Sequence, residues 1–104
     1  MRFPLPPTTN ALYRVVNGHP ILSRESRDWK TQAEWILKTA HLTCTDKPVA
    51  VTVRFFLKYD RDVDNLKLLL DVLKGYAYQD DSQVTELHIY KAKDKLDPHV
   101  EVEI

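Results

Sequence analysis

The sequence predicts an α+β fold in which two helices pack against a small mixed β-sheet. Two segments repeat apolar residues at positions three and four apart, and runs rich in β-branched and aromatic residues flank them. The 104 residues suffice for one core, and 43% hydrophobic with 29% charged residues is typical of folded domains. We therefore expect residues 1–104 to form a single domain.

The N-terminal part is predicted to be extended and then to form a β-hairpin. The prolines in residues 3–7 disfavour helix in the residues that precede them. Asn17-Gly18 separates two β-favouring runs within residues 12–22, which is the pattern of a tight hairpin. Pro20 would keep the second strand short or at an edge.

The remainder is predicted to contain two amphipathic helices and three strands. The first helix covers about residues 26–42, with Ser23 or Ser26 as its cap. The second covers residues 62–74, begins near Asp62 to Asp64 and is ended by Gly75. The apolar stripes are Trp29, Ala33, Ile36, Leu37 and Ala40 in the first helix and Val63, Leu66, Leu69, Leu70 and Leu73 in the second. The predicted strands are residues 49–57, in the centre of the sheet, 84–92 and 99–104.

The net charge of zero, from 15 basic and 15 acidic residues, conceals an uneven distribution. The first 50 residues hold seven basic and four acidic residues (net +3), and the rest hold eight and eleven (net −3). Residues 60–81 alone hold six aspartates against three basic residues, which is also net −3. A neutral chain is unlike the strongly basic, histone-like binders of nucleic acid, but it leaves room for a basic surface outside the acidic window.

Counts of single residue types exclude several classes of site. The lone cysteine, Cys44, excludes an internal disulfide framework and a zinc-finger set. Gly18 and Gly75 are the only glycines, so no phosphate loop or dinucleotide fingerprint, and no nucleotide cofactor, is expected. No stretch approaches the ~20 apolar residues of a membrane span, and the N-terminus lacks a signal-peptide core. We expect a soluble, cytoplasmic protein.

Alternating aspartates at Asp60, Asp62 and Asp64 form an acidic cluster where a strand gives way to a helix. In an extended segment, residues two apart point to one side, about 7 Å apart, so the three carboxylates repel one another unless a cation intervenes. Mg²⁺ prefers such oxygen ligands, and Asp80 and Asp81 could supply more of them from beyond the helix. The alternative is that these aspartates only cap the helix and solvate the surface.

Lys67 lies three residues after Asp64, an offset that keeps both on one helical face. Its simplest role is a surface ion pair worth about 0.3 kcal/mol. Its functional role would be to place its own positive charge against a scissile phosphate.

Three segments resemble the RusA family of Holliday-junction resolvases. They are residues 4–14 (PLPPTTNALYR), 22–30 (LSRESRDWK) and, most specifically, 62–84 (DVDNLKLLLDVLKGYAYQDDSQV). The resemblance implies a homodimeric endodeoxyribonuclease that uses Mg²⁺, or Mn²⁺ in its place, to nick opposed strands of four-way junction DNA. It also implies a role in DNA recombination and repair in a bacterial or phage-infected cell.

The resemblance assigns site residues by position. It places the metal-binding, catalytic aspartates at Asp62, Asp64 and Asp81, with Asp80 as an accessory metal-binding acid. The catalytic lysine of the family falls four residues after the second aspartate, where this chain has Leu68. Lys67 stands one position earlier and would take that role after a one-residue deletion, which also explains why Asp71 comes one position early.

Basic residues outside the acidic window are candidates for contacts with DNA phosphates, which position DNA without reading its bases. They are Arg14, Arg24, Arg27 and Lys30, together with Arg61 beside the aspartates. Tyr13 and His19 could contact an opened junction, although packing is the simpler expectation for both.

A homodimer is expected because paired cuts in a roughly two-fold symmetric junction need two sites. The Leu69/Leu70/Val72 side of the second helix has apolar residues to spare for it. Three other functions stay open: a nuclease of the same fold that acts on flaps or forks, a catalytically weakened junction-binding protein, and an acidic interaction domain with no nucleic-acid role.

Overall fold

The computed structural model describes residues 1–8, 13–59 and 65–104. Its strands and helices confirm the predicted α+β class. In chain order they are β1 (Arg2–Phe3), β2 (Tyr13–Val16), β3 (His19–Leu22), α1 (Arg24–Ala40), β4 (Val49–Leu57), α2 (Leu66–Leu73), β5 (Val84–Lys93) and β6 (His99–Glu103), with a 3-10 turn at Asp81–Gln83.

β4 is an inner strand of a four-stranded mixed sheet with the order β1-β6-β4-β5. It pairs in parallel with β5 and antiparallel with β6. Val51, Val53 and Phe55 alternate along one face and are buried in the core that the sheet shares with both helices. The central position predicted for residues 49–57 is therefore confirmed.

β2 and β3 form a separate antiparallel ribbon. Asn17 and Gly18 connect them, and both have positive φ angles (52° and 76°), as a type I′ hairpin turn requires. Pro20 pairs opposite Val15 in this two-stranded ribbon, as its predicted edge position requires.

The first helix, α1, is capped by Ser23, whose hydroxyl accepts a hydrogen bond of 3.2 Å from the Ser26 backbone N–H. Trp29, Ala33 and Leu37 of the predicted stripe are buried. The Trp29 indole N–H also donates to the Pro4 carbonyl at 2.8 Å. This bond attaches α1 to the extended N-terminal segment.

The second helix, α2, begins at Leu66 rather than near Asp62 to Asp64. Asn65, the N-cap residue, has a left-handed backbone (φ 58°, ψ 35°) and is therefore not part of the helix. The predicted end is confirmed, because the helix stops at Leu73 and Gly75 has a φ of 89°.

The apolar face of α2 packs inside the chain's own core. Leu69 and Leu73 are 0% exposed, and Leu68 and Val72, which the predicted stripe omitted, are buried beside them. The suggestion that the Leu69/Leu70/Val72 side offers a spare dimer surface is therefore wrong. No helix in the described part of the chain is long and apolar enough to cross a membrane.

Candidate active site

Two carboxylates meet on the polar side of α2. Asp71 projects from the helix, and Asp81 opens the 3-10 turn that follows it, with the two side chains within hydrogen-bond reach. Burial, and then the charge of Asp81, raise the pKa of Asp71, while the charge of Lys67 opposes the shift. Asp71 thus lies at an acidic pair that favours a proton or a cation between its oxygens.

Tyr78 anchors the loop between α2 and the 3-10 turn, and this loop carries the chain to Asp81. Its side chain is 0% exposed, and its hydroxyl donates to the Leu70 carbonyl at 2.7 Å. The Gly75 N–H donates to the Tyr78 carbonyl, also at 2.7 Å, so the loop turns back onto the end of α2. Burial, followed by the charges of Asp81 and Asp71, raises the pKa of Tyr78 to about 12. Its hydroxyl therefore stays protonated and keeps its bond to the helix.

Gln83 fixes the other side of the same turn. Its side-chain oxygen accepts from the backbone N–H groups of Gln79 and Asp80, both at 2.8 Å. Its amide nitrogen donates to the carbonyls of Thr45 and Lys47 at 2.8 and 2.9 Å. Gln83 thereby bonds the turn formed by Asp80 and Asp81–Gln83, which we call the acidic turn, to the loop that precedes β4. Its position in the D-D-x-Q-V motif was visible in the sequence, but this bonding was not.

Asp80 is engaged within the turn and with α2. Its carboxylate caps the turn through the backbone N–H of Ser82 at 3.3 Å and lies 3.5 Å from the Lys74 Nζ. The hydrogen bonds from Ser82, more than the charge of Lys74, hold the pKa of Asp80 below its ordinary value. These contacts hold Asp80 as a charged carboxylate at the surface, one residue before Asp81 in the chain.

A cleft of about 250 Å³ opens where the hairpin, α1 and α2 meet, and we call it the acidic cleft. It brings the predicted residues Lys67 and Lys30 to the same space as Asp71. The residues that line it are Tyr13, Leu22, Lys30, Asn65, Lys67, Leu68, Asp71 and Val72.

Asn65 is a second residue whose role the sequence did not reveal. Its side-chain amide donates to the Pro7 carbonyl at 2.7 Å, which joins the proline-rich N-terminus to the start of α2. The prediction that Asp64 and Lys67 share one face involves Asp64, which lies outside the described residues. Lys67 and Asp71, which are four residues apart inside α2, do share a face.

The other predicted site residues are divided between the surface and the undescribed segments. Asp60, Arg61, Asp62 and Asp64 lie outside the described residues. Arg14 and Arg27 are exposed, and Arg24 lies 3.8 Å from Asp28 in a surface ion pair. Tyr13 is 57% exposed at the acidic cleft and His19 is also exposed, so the expectation that both are packed is wrong.

Within residues 1–8, 13–59 and 65–104, no group of three or more His, Cys, Asp or Glu side chains could hold a metal ion. The described part of the chain thus supplies a pair of carboxylates, and the alternating aspartates follow directly after β4 and Lys58-Tyr59 in the sequence.

Comparison with protein families identifies the chain. The family model of the endodeoxyribonuclease RusA matches residues 4–104, which is essentially the whole sequence. No individual curated protein matches it. The acidic turn, Lys67 and the proline-rich N-terminus all fall inside the matched region. The chain therefore belongs to the RusA family of endodeoxyribonucleases.

Proposed function

We propose that this chain is a Mg²⁺-dependent nuclease that resolves Holliday junctions by paired, symmetric nicks and acts as a homodimer. Its family supports DNA phosphodiesters as the substrate. The observation that supports the proposal most is the acidic cleft, where Asp71, one carboxylate of the pair, lines the same space as Lys67 and Lys30. Carboxylate oxygens suit a hard divalent cation and lysines suit phosphate, so the two halves of a phosphodiesterase site occur together.

The Asp71–Asp81 pair fits a divalent cation. The charge of Asp81 is close enough to disfavour the charged form of Asp71, and the donors are oxygens. We propose that Asp81, together with Asp62 and Asp64 and with Asp80 as an accessory acid, holds the metal. Bound there, Mg²⁺ (or Mn²⁺) would lower the pKa of a water and polarise the scissile phosphate.

Lys67 is the proposed catalytic lysine. It is exposed on the first turn of α2, lines the acidic cleft and acts electrostatically on Asp71 four residues later. A cation in this position would stabilise the negative charge that develops on the phosphate during cleavage. Lys30, which reaches the same cleft from α1, would hold the substrate strand there.

The proposed homodimer needs an exposed interface, and the edge of β5 is a better candidate than the buried apolar side of α2. This ten-residue strand lies at the edge of the four-stranded sheet, and Leu87 and Ile89 are 39% and 41% exposed. Two such edges can pair antiparallel about a two-fold axis, which is the symmetry that paired cuts require. Light scattering should give a dimer for the wild-type chain and a monomer for Ile89→Lys. A monomeric wild type would contradict the dimer.

The nuclease proposal is tested with a labelled four-way junction, a matched duplex and a flap, each incubated with Mg²⁺ or with EDTA. We expect symmetric nicks in the junction, in the Mg²⁺ lanes only. Cleavage restricted to the flap would assign a different substrate. Tight junction binding without cleavage, in Mg²⁺ and in Mn²⁺, would identify a binding protein instead of a resolvase.

A further inference from the structure

We propose that a second cleft, at the carboxyl ends of β4 and β5, binds the phosphate backbone of a DNA arm next to the cleavage site. The cleft has a volume of about 330 Å³, and we call it the lysine cleft. This inference rests on the proposed function and adds a substrate-binding surface to it. The lining residues are Leu57, Tyr59, Lys91, Ala92 and Lys93.

The parallel pairing of β4 and β5 places Lys91 and Lys93 at the carboxyl end of β4. Leu57 pairs with Lys93 and Phe55 with Lys91, so both strands end at the same edge of the sheet. Lys91 and Lys93 are two residues apart on one strand and therefore point to one side, about 7 Å apart. A row of cations along a strand fits a linear polyanion such as a DNA backbone.

The turn after β5 adds to the positive charge. The Asp94 N–H donates to the Leu57 carbonyl at 2.8 Å, which attaches the turn to the end of β4. The Asp94 carboxylate accepts from the backbone N–H groups of Leu96 and Asp97 at 3.2 and 3.1 Å, so it serves the turn. Residues 57–59 and 91–95 together contain four lysines and this one aspartate, which is net +3.

Tyr59 adds an aromatic surface to the lysine cleft. Its side chain is 65% exposed, and the Lys58 Nζ lies 5.5 Å from the centre of its ring. Exposed aromatic rings beside cations are platforms for unstacked bases, which occur where strands exchange in a junction. Tyr59 directly precedes the segment with Asp62 and Asp64, so the lysine cleft adjoins the proposed metal ligands along the sequence.

The lysines are tested by Lys91→Gln/Lys93→Gln against the matched control Lys38→Gln/Lys47→Gln, which removes two exposed lysines elsewhere. Binding of a fluorescent four-way junction is measured by anisotropy in EDTA at several salt concentrations. We expect the cleft variant to bind about tenfold more weakly, with a salt slope smaller by about 2, while the control stays near the wild type.

The tyrosine is tested separately with Tyr59→Leu against Trp35→Leu, a ring that is 68% exposed on α1. We expect Tyr59→Leu to weaken junction binding about tenfold, since stacking on each base contributes on this scale. Binding of the matched duplex, which has no unstacked base, should change little, and Trp35→Leu should leave both affinities unchanged.

Two failures are distinguishable. If the wild type cleaves junctions and the lysine-cleft variant binds them with unchanged affinity and salt slope, the inference is wrong and the proposed function stands. If the wild type neither binds nor cleaves a junction, the proposed function fails and the inference fails with it. Thermal melting checks the fold of each variant, and Lys93→Gln alone, with an expected slope change of about 1, replaces a double variant that does not fold.

Discussion

The two faces of α2 differ in what they contribute to the molecule. Leu69 and Leu73 are fully buried on one face and gain free energy by leaving water. On the other face, Asp71 lies against Asp81, and partial burial, followed by repulsion from Asp81, raises the pKa of Asp71. A fold that keeps two carboxylates together gains no stability from them. The apolar face of α2 therefore stabilises the fold, and the polar face is the one that we assign to DNA cleavage.

The apolar face should show the largest effect on stability. We expect Leu69→Ala to lower the free energy of unfolding by about 3 kcal/mol, because a fully buried leucine leaves a cavity when it is truncated. Denaturant unfolding measures the change. The matched control is Leu96→Ala, since Leu96 is 97% exposed and its truncation should cost less than about 0.5 kcal/mol. Equal losses for the two variants would show that α2 is not packed as described.

The support of the acidic turn should show an intermediate effect. We expect Gln83→Ala to lower the free energy of unfolding by about 1–2 kcal/mol, because its side chain makes four hydrogen bonds to backbone groups. Junction cleavage should fall as well, since the turn carries Asp81. The exposed Gln32→Ala serves as the control. A Gln83→Ala variant with wild-type stability and wild-type cleavage would contradict the proposal that Gln83 supports this turn.

The polar face should show the smallest effect, with the opposite sign. In EDTA at neutral pH, we expect Asp71→Asn to raise the free energy of unfolding by about 0.2–0.5 kcal/mol, a value kept small because the site is exposed to solvent. An asparagine amide can donate to Asp81 without carrying charge. Asp46→Asn, at an exposed acid on another loop, should change stability less.

The pH dependence of that gain has a definite sign. The folded pKa of Asp71 lies above its ordinary value of 3.8, so the folded state disfavours the charged form. The destabilisation is present above the folded pKa and disappears as the pH falls through that value toward 3.8. The advantage of Asp71→Asn should therefore shrink over the same interval. An advantage that grows as the pH falls would contradict the repulsive pair.

Local patterns in the sequence predicted most of the secondary structure. Asn17-Gly18 indicated the hairpin turn, the β-branched run indicated β4, and the Ser23 cap and Gly75 marked helix boundaries, because each depends on residues adjacent in the chain. The start of α2 was misplaced because the left-handed conformation of Asn65 is accompanied by a long-range bond to Pro7.

The candidate site was predictable only in part. Lys67 and the Asp80-Asp81 turn were identified from their spacing and from the family resemblance. The closeness of Asp71 to Asp81 was missed, although the position of Asp71 four residues after Lys67 was a usable signal that it lies near the candidate site. The bonds of Gln83 join a turn to a loop more than 35 residues earlier, and such contacts are set by the tertiary fold.

The most direct test of the central claim is the rate at which Asp81→Asn nicks a four-way junction in Mg²⁺, compared with Asp46→Asn. We predict that Asp81→Asn keeps its thermal stability and loses activity by about 100-fold or more, because the substitution removes a proposed metal ligand and electrostatic support of the reaction. Asp46→Asn should cleave at the wild-type rate. A folded Asp81→Asn variant that nicks junctions as fast as the wild type would contradict the assignment of the active site.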